Sequence, residues 1–99
     1  MTTLEAKQEL SDACLEFVKS PTPYVLAHRA DRLVAAYKGL LRACHNKPRY
    51  RKFKEAVAYI ERWARDQVKH NKTSDKRRLI AVGYAFTIRE SIYRDQIDT

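Results

Sequence analysis

Structure breakers are scarce in this chain. Its 99 residues include two glycines and three prolines, and the prolines fall at two places only, Pro21 with Pro23 and then Pro48. A many-stranded β fold needs frequent turns built on such residues, so their scarcity argues for long helices instead. The two cysteines, Cys14 and Cys44, are too few for a disulfide framework. Both fall on apolar faces of expected helices and read as buried thiols in a reducing compartment, although their positions neither require nor forbid a bond between them. His28, His45 and His70 are scattered, so the set of ligands in close pairs that structural zinc needs is missing. A glycine-rich phosphate loop and a Gly-x-Ser-x-Gly elbow are missing too, and no cofactor is implied. No apolar run approaches the ~20 residues of a membrane span. Met1-Thr2-Thr3-Leu4-Glu5 lacks the positive start and apolar stretch of a signal peptide, so a cytoplasmic location away from membranes is expected.

What is present is amphipathic. Hydrophobic residues make up 44% of the chain, enough for one core in a single domain spanning residues 1–99. Helix one is expected from Thr3 to Lys19, with Thr2 and Glu5 forming a capping box and Leu10, Cys14, Phe17 and Val18 on the inner face. Ser20-Pro21-Thr22-Pro23 breaks it: Pro21 opposes helix at Ser20, Thr22 is an N-cap and Pro23 opens helix two. That helix runs to Cys44 with Leu26, Ala30, Leu33, Val34, Tyr37, Leu40, Leu41 and Cys44 in one stripe. A second stripe of small residues, Ala36, Gly39 and Ala43, predicts a close approach by another backbone.

His45-Asn46-Lys47-Pro48 is the next break, with Asn46 as a left-handed cap. Helix three spans Pro48 to His70 and turns Tyr50, Phe53, Val57, Ile60, Trp63, Ala64 and Val68 inward. Residues 71–75 break the chain again, and helix four covers Asp75 to Gln96. Its apolar arc is wide, running through Leu79, Ala81, Val82, Ala85, Phe86, Ile88, Ile92 and Tyr93, with Ile80 and Tyr84 extending it. Such an arc predicts burial on more than one side, either at the bundle centre or in an oligomer. Four such helices joined by short loops imply an all-α, up-and-down four-helix bundle; a three-helix core with helix one loosely docked is the competing topology.

Twenty Lys and Arg against twelve Asp and Glu give a net charge of +8, a field that favours phosphate-rich or acidic partners. The excess is uneven. Residues 1–19 hold two cations against four acids, residues 79–99 two against three, and residues 20–78 sixteen against five. Two clusters dominate. Lys47, Arg49, Arg51, Lys52 and Lys54 open helix three, where cations oppose the helix dipole and helix-start amides could join them around a phosphate. Lys69, His70, Lys72, Lys76, Arg77 and Arg78 span the third break. Between the clusters, Arg51 with Glu55, Glu61 with Arg65, and Arg62 with Asp66 are i, i+4 pairs, so the face of helix three is expected to neutralise itself and leave two separate patches. Tyr50 and Phe53 could stack on bases, but their spacing fits the core better; Tyr24 and Tyr59 lie off the main stripes.

Arg89 falls inside the apolar arc of helix four. It is expected to pair with an acid of helix one, such as Glu9 or Glu16, or else to contact an anion or an oligomer partner. Tyr84, Arg89 and Tyr93 are the candidate interface residues of a homodimer through helix four. The third break is too long and polar for a helix-turn-helix. Arg65-Asp66-Gln67-Val68-Lys69-His70 resembles the motif of HEPN-type ribonucleases, which are also helical bundles, typically dimeric and metal-independent. By that resemblance His70 would transfer protons and Arg65 would hold the phosphate. An exposed, charged helix end carries the same residue types, and that reading weighs more.

Three functions follow in order. The first is a basic nucleic-acid-binding accessory or regulatory protein using the two clusters. The second is an inhibitor or adaptor docking on an acidic or nucleic-acid-processing protein. The third is the ribonuclease.

Overall fold

The computed structural model describes residues 2–19, 23–45, 48–70 and 75–97, apart from the side chains at 23, 24, 26, 49, 70, 75 and 95–97. Helix α1 spans Thr3–Val18, α2 Pro23–Ala43, the single turn α3 Pro48–Arg51, α4 Lys54–His70 and α5 Asp75–Ile97. The main packing contacts join α1 to α2, α2 to α4, α4 to α5 and α5 back to α1. Four long helices in a closed ring, 41 × 21 × 20 Å overall, make a four-helix bundle. No helix among the described residues is long and apolar enough to cross a membrane.

The start of α1 follows from its sequence. The Glu5 amide donates to Thr2 Oγ1 at 3.1 Å, and the Thr2 amide donates to Glu5 Oε1 at 3.4 Å, closing the capping box. Ala6, Leu10, Ala13, Cys14 and Phe17 then face inward. They meet Ala27, Ala30, Leu33, Tyr37 and Leu40 of α2, Val57, Ile60, Trp63 and Ala64 of α4, and Ala81, Ala85, Ile88 and Ile92 of α5 in one core. Trp63 is fully buried and meets Phe17 edge-on, with ring centroids 6.2 Å apart. Both cysteines are buried and free.

Helix three of the sequence reading is divided. The Tyr37 hydroxyl donates to the Tyr50 carbonyl at 2.8 Å, and the Phe53 amide reaches the same oxygen at 3.3 Å. An unbroken α-helix would give that carbonyl to the amide of Lys54. The chain therefore turns at Lys52-Phe53 and resumes with the Val57 amide on the Phe53 carbonyl at 2.9 Å. The left-handed residue closing α2 is His45, at φ 55°, whereas Asn46 lies outside the described residues.

Three inward assignments change. Val68 is 55% exposed while Gln67, one position earlier, is buried, because the inner arc of α4 continues from Trp63 to its i+4 neighbour. On α5, Leu79, Phe86 and Tyr93 all stand more than half-exposed, so the wide arc is covered on one side only. The small-residue stripe of α2 has no close neighbour at Gly39: a Cβ there would meet nothing within 4 Å among the described residues, and Ala36, Gly39 and Ala43 line an open groove with Glu9 of α1.

Candidate nucleic-acid interface

The candidate cations divide by what the fold leaves them to do. Lys47 and Lys72 lie outside the described residues, as do the side chains of Arg49 and His70. At the first cluster Arg51, Lys52 and Lys54 are exposed, with the Lys52 ammonium 5.2 Å from the centroid of the Phe53 ring. Tyr50 and Phe53 are core residues, so they offer no free ring to a base. Lys7 of α1, which the sequence reading passed over, is buried against this cluster with its ammonium 5.6 Å over the Tyr50 ring. Because α3 is a single turn, the accumulated dipole of a long helix does not stand behind these cations, and the expected phosphate pocket at its start loses that support.

At the second cluster Lys69 and Lys76 are exposed, whereas Arg77 and Arg78 are half-buried. Arg77 reaches back from α5 to Asp66 of α4 at 3.3 Å. That contact overturns one expected pair, since Asp66 is spent on Arg77 and not on Arg62. Glu61 and Arg65 do pair, at 3.0 Å. Among the described residues Arg51 and Glu55 form no ion pair, and Arg62 forms none. The face between the clusters is therefore less self-neutralised than the spacing implied.

The acids of α1 are engaged elsewhere. Arg32 of α2 sits between Glu9 and Glu16, its Nε 2.9 Å from Glu9 Oε1 and one terminal nitrogen on Glu16 Oε2. The Arg32 hydrogen bond holds the Glu16 carboxyl below the ordinary glutamate range. Arg29 adds a bond to the Glu16 carbonyl at 3.0 Å. Two of α2's cations are thus consumed by α1, and the surplus is concentrated on α4 and its flanks. No signal within one helix could reveal this, because the partners lie 16 and 23 residues apart in sequence.

Since Arg32 occupies both acids, Arg89 has neither of its expected partners. It is half-buried on α5, and its Nε is buried with no hydrogen-bond acceptor among the described residues. Its charge acts on Cys14 of α1, whose thiol burial pushes up to about 12 despite that opposing guanidinium. Of the other interface candidates, Tyr84 meets Tyr59 edge-on at 5.4 Å and is 39% exposed, and Tyr93 projects outward. The side chain of Tyr24 is outside the described set. For the ribonuclease motif, Arg65 lies on the exposed face of α4 with its guanidinium on Glu61.

Compared with models of known protein families, with curated protein sequences and with solved structures, the chain matches none.

Proposed function

We propose that this chain is a small nucleic-acid-binding accessory or regulatory protein that contacts phosphates through the exposed cations at the ends of α4. One observation supports this above the others. Arg51, Lys52, Lys54, Lys69 and Lys76 are exposed and form no ion pair among the described residues, while Glu9, Glu16, Glu61 and Asp66 are already bonded to arginines. Cations placed so, with Glu61 and Asp66 occupied and Glu55 the acid left exposed beside them, meet solvent as a net positive surface. They release counterions when phosphates replace those ions. Two buried free thiols fit a cytoplasmic site of action.

The test is binding of labelled DNA and RNA oligonucleotides between 50 and ~200 mM salt. Affinity is expected to fall steeply and linearly on a double-logarithmic plot. Undetectable binding at low salt, or affinity indifferent to salt, overturns the reading.

A second reading, an inhibitor or adaptor that docks on a larger protein, is favoured by Leu79, Phe86 and Tyr93, which recur every seven residues along the outer face of α5. A stoichiometric partner retained after nuclease treatment and lost on Phe86→Ser supports it. Self-association lost on the same change supports the homodimer form.

A further inference from the structure

We infer that the ligand is duplex DNA, lying along the outer face of α4 as one continuous track from the first cationic cluster to the second. This rests on the nucleic-acid-binding reading and replaces its two separate patches with a single surface. Lys54, Ala58, Arg62, Arg65 and Lys69 follow one another at helical spacing, and all are exposed. At 1.5 Å per residue Lys54 and Lys69 stand about 22 Å apart along the axis, with Arg62 about midway.

The acids on this strip are largely cancelled or removed. Arg65 neutralises Glu61 at 3.0 Å, and Arg77 draws Asp66 toward α5 at 3.3 Å, which leaves Arg62 free to face a phosphate. Glu55 is the exposed acid that remains on its flank. Lys52, in the turn before α4, and Lys76, at the start of α5, are exposed near the two ends of the helix and join the track there.

The same face argues for a duplex. Single strands are held by aromatic platforms between cations. Here Tyr50, Phe53 and Trp63 are buried, and Tyr59 is half-buried with its ring against Tyr84. The amide of α4, Gln67, is buried as well, so the surface offers cations for phosphates and no amide for base edges. Along the axis Lys54 and Arg62 stand about 12 Å apart, and Arg62 and Lys69 about 10 Å, close to the ~12 Å width of the major groove of B-form DNA, so a helix crossing that groove sets its cations at phosphates on both edges. The deep, narrow major groove of an RNA duplex does not match that spacing. About five phosphate contacts, from Lys52, Lys54, Arg62, Lys69 and Lys76, set the slope of log affinity against log salt near −4.5.

The experiment is fluorescence anisotropy with a labelled DNA duplex of mixed sequence, its single strand and the corresponding RNA duplex. It is run on the full chain, on Arg62→Ala, on Lys52→Ala with Lys76→Ala, and on Lys38→Ala with Arg42→Ala as a control on α2. Expected are tightest binding to the DNA duplex and about tenfold weaker binding for Arg62→Ala near 0.1 M salt, its slope smaller by about one. The α2 control should match the parent, and circular dichroism should show every variant folded. Binding weakened by the end substitutions but untouched by Arg62→Ala overturns the continuous track while sparing the two-patch reading. Tighter binding to the single strand or the RNA duplex overturns the choice of ligand. No binding to any of the three removes the underlying function together with the track.

Discussion

On the outer face of α4, solvent meets Lys54, Arg62, Arg65 and Lys69; on the outer face of α5 it meets Leu79, Phe86 and Tyr93. The two helices are neighbours, and each contributes an inner stripe to the same core. Helix α4 places its bulk inside, with Ile60 and Trp63 fully buried, and its charge outside. Helix α5 reverses part of that order. Ala81, Ala85, Ile88 and Ile92 are buried, while Leu79, Phe86 and Tyr93 stay in water. The comparison separates two uses of hydrophobicity: in α4 all but Val68 of the large apolar side chains are spent on the fold, and in α5 a second share is left over.

The largest effect that could break this contrast comes from truncating one large ring on each helix. Trp63→Ala is expected to cost about 3–5 kcal/mol, the transfer and cavity penalties of a filled core site. Phe86→Ala, at a side chain 54% exposed, should stay within about 0.5 kcal/mol by urea denaturation of the isolated chain. A comparable loss at Phe86 in dilute protein would mean that the outer stripe of α5 contributes to the fold after all.

Arg89 sits on the border between the inner and outer stripes of α5, and its effect is intermediate in size. A buried Nε without an acceptor costs about 1–3 kcal/mol, part of which returns if the group is removed. Arg89→Leu should therefore gain about 1 kcal/mol, read as a melting temperature higher by roughly 4–8 °C. A lower melting temperature would show that the guanidinium holds α5 to α1.

The smallest effect sharpens the electrostatic side. The Glu16 carboxyl is held below its ordinary value by the Arg32 hydrogen bond. Its contribution to stability is therefore complete above that ordinary value and is lost as pH falls through the lowered one. Melting temperatures measured at neutral and strongly acid pH should differ less in Arg32→Met than in the parent chain. An equal difference in both would dissociate the α1–α2 ion pairs from the acid response. Both side chains are well exposed, so solvent keeps this change small.

The bundle was legible because its local signals agreed: the capping box at Thr2, the prolines at 23 and 48, and the helical recurrence of Leu10, Cys14 and Phe17 all marked real boundaries or faces. Signals that depend on distant residues were not. The break at Lys52 is tied to a hydroxyl on the Tyr50 carbonyl that comes from thirteen residues before Tyr50, and Tyr50, Phe53 and Val57 keep the same spacing with or without it. Val68 and Gln67 exchange places because the position on the arc outweighs the polarity of the side chain. On the candidate interface, residue type located the cations, but their availability depended on which acids the tertiary fold had already claimed. Asp66 going to Arg77, and Glu9 and Glu16 going to Arg32, are choices between helices.

The burial of Cys14 carries a practical consequence. A thiol raised to about 12 is almost wholly protonated at neutral pH and shielded from reagents, so it is chemically silent while α1 and α5 stay together. Separation of those helices would restore ordinary thiolate chemistry at once. The chain thus contains its own clock for local opening: with Cys44 replaced by Ala, the rate at which a thiol reagent modifies Cys14 under native conditions reports how often the α1–α5 seam parts around that one position.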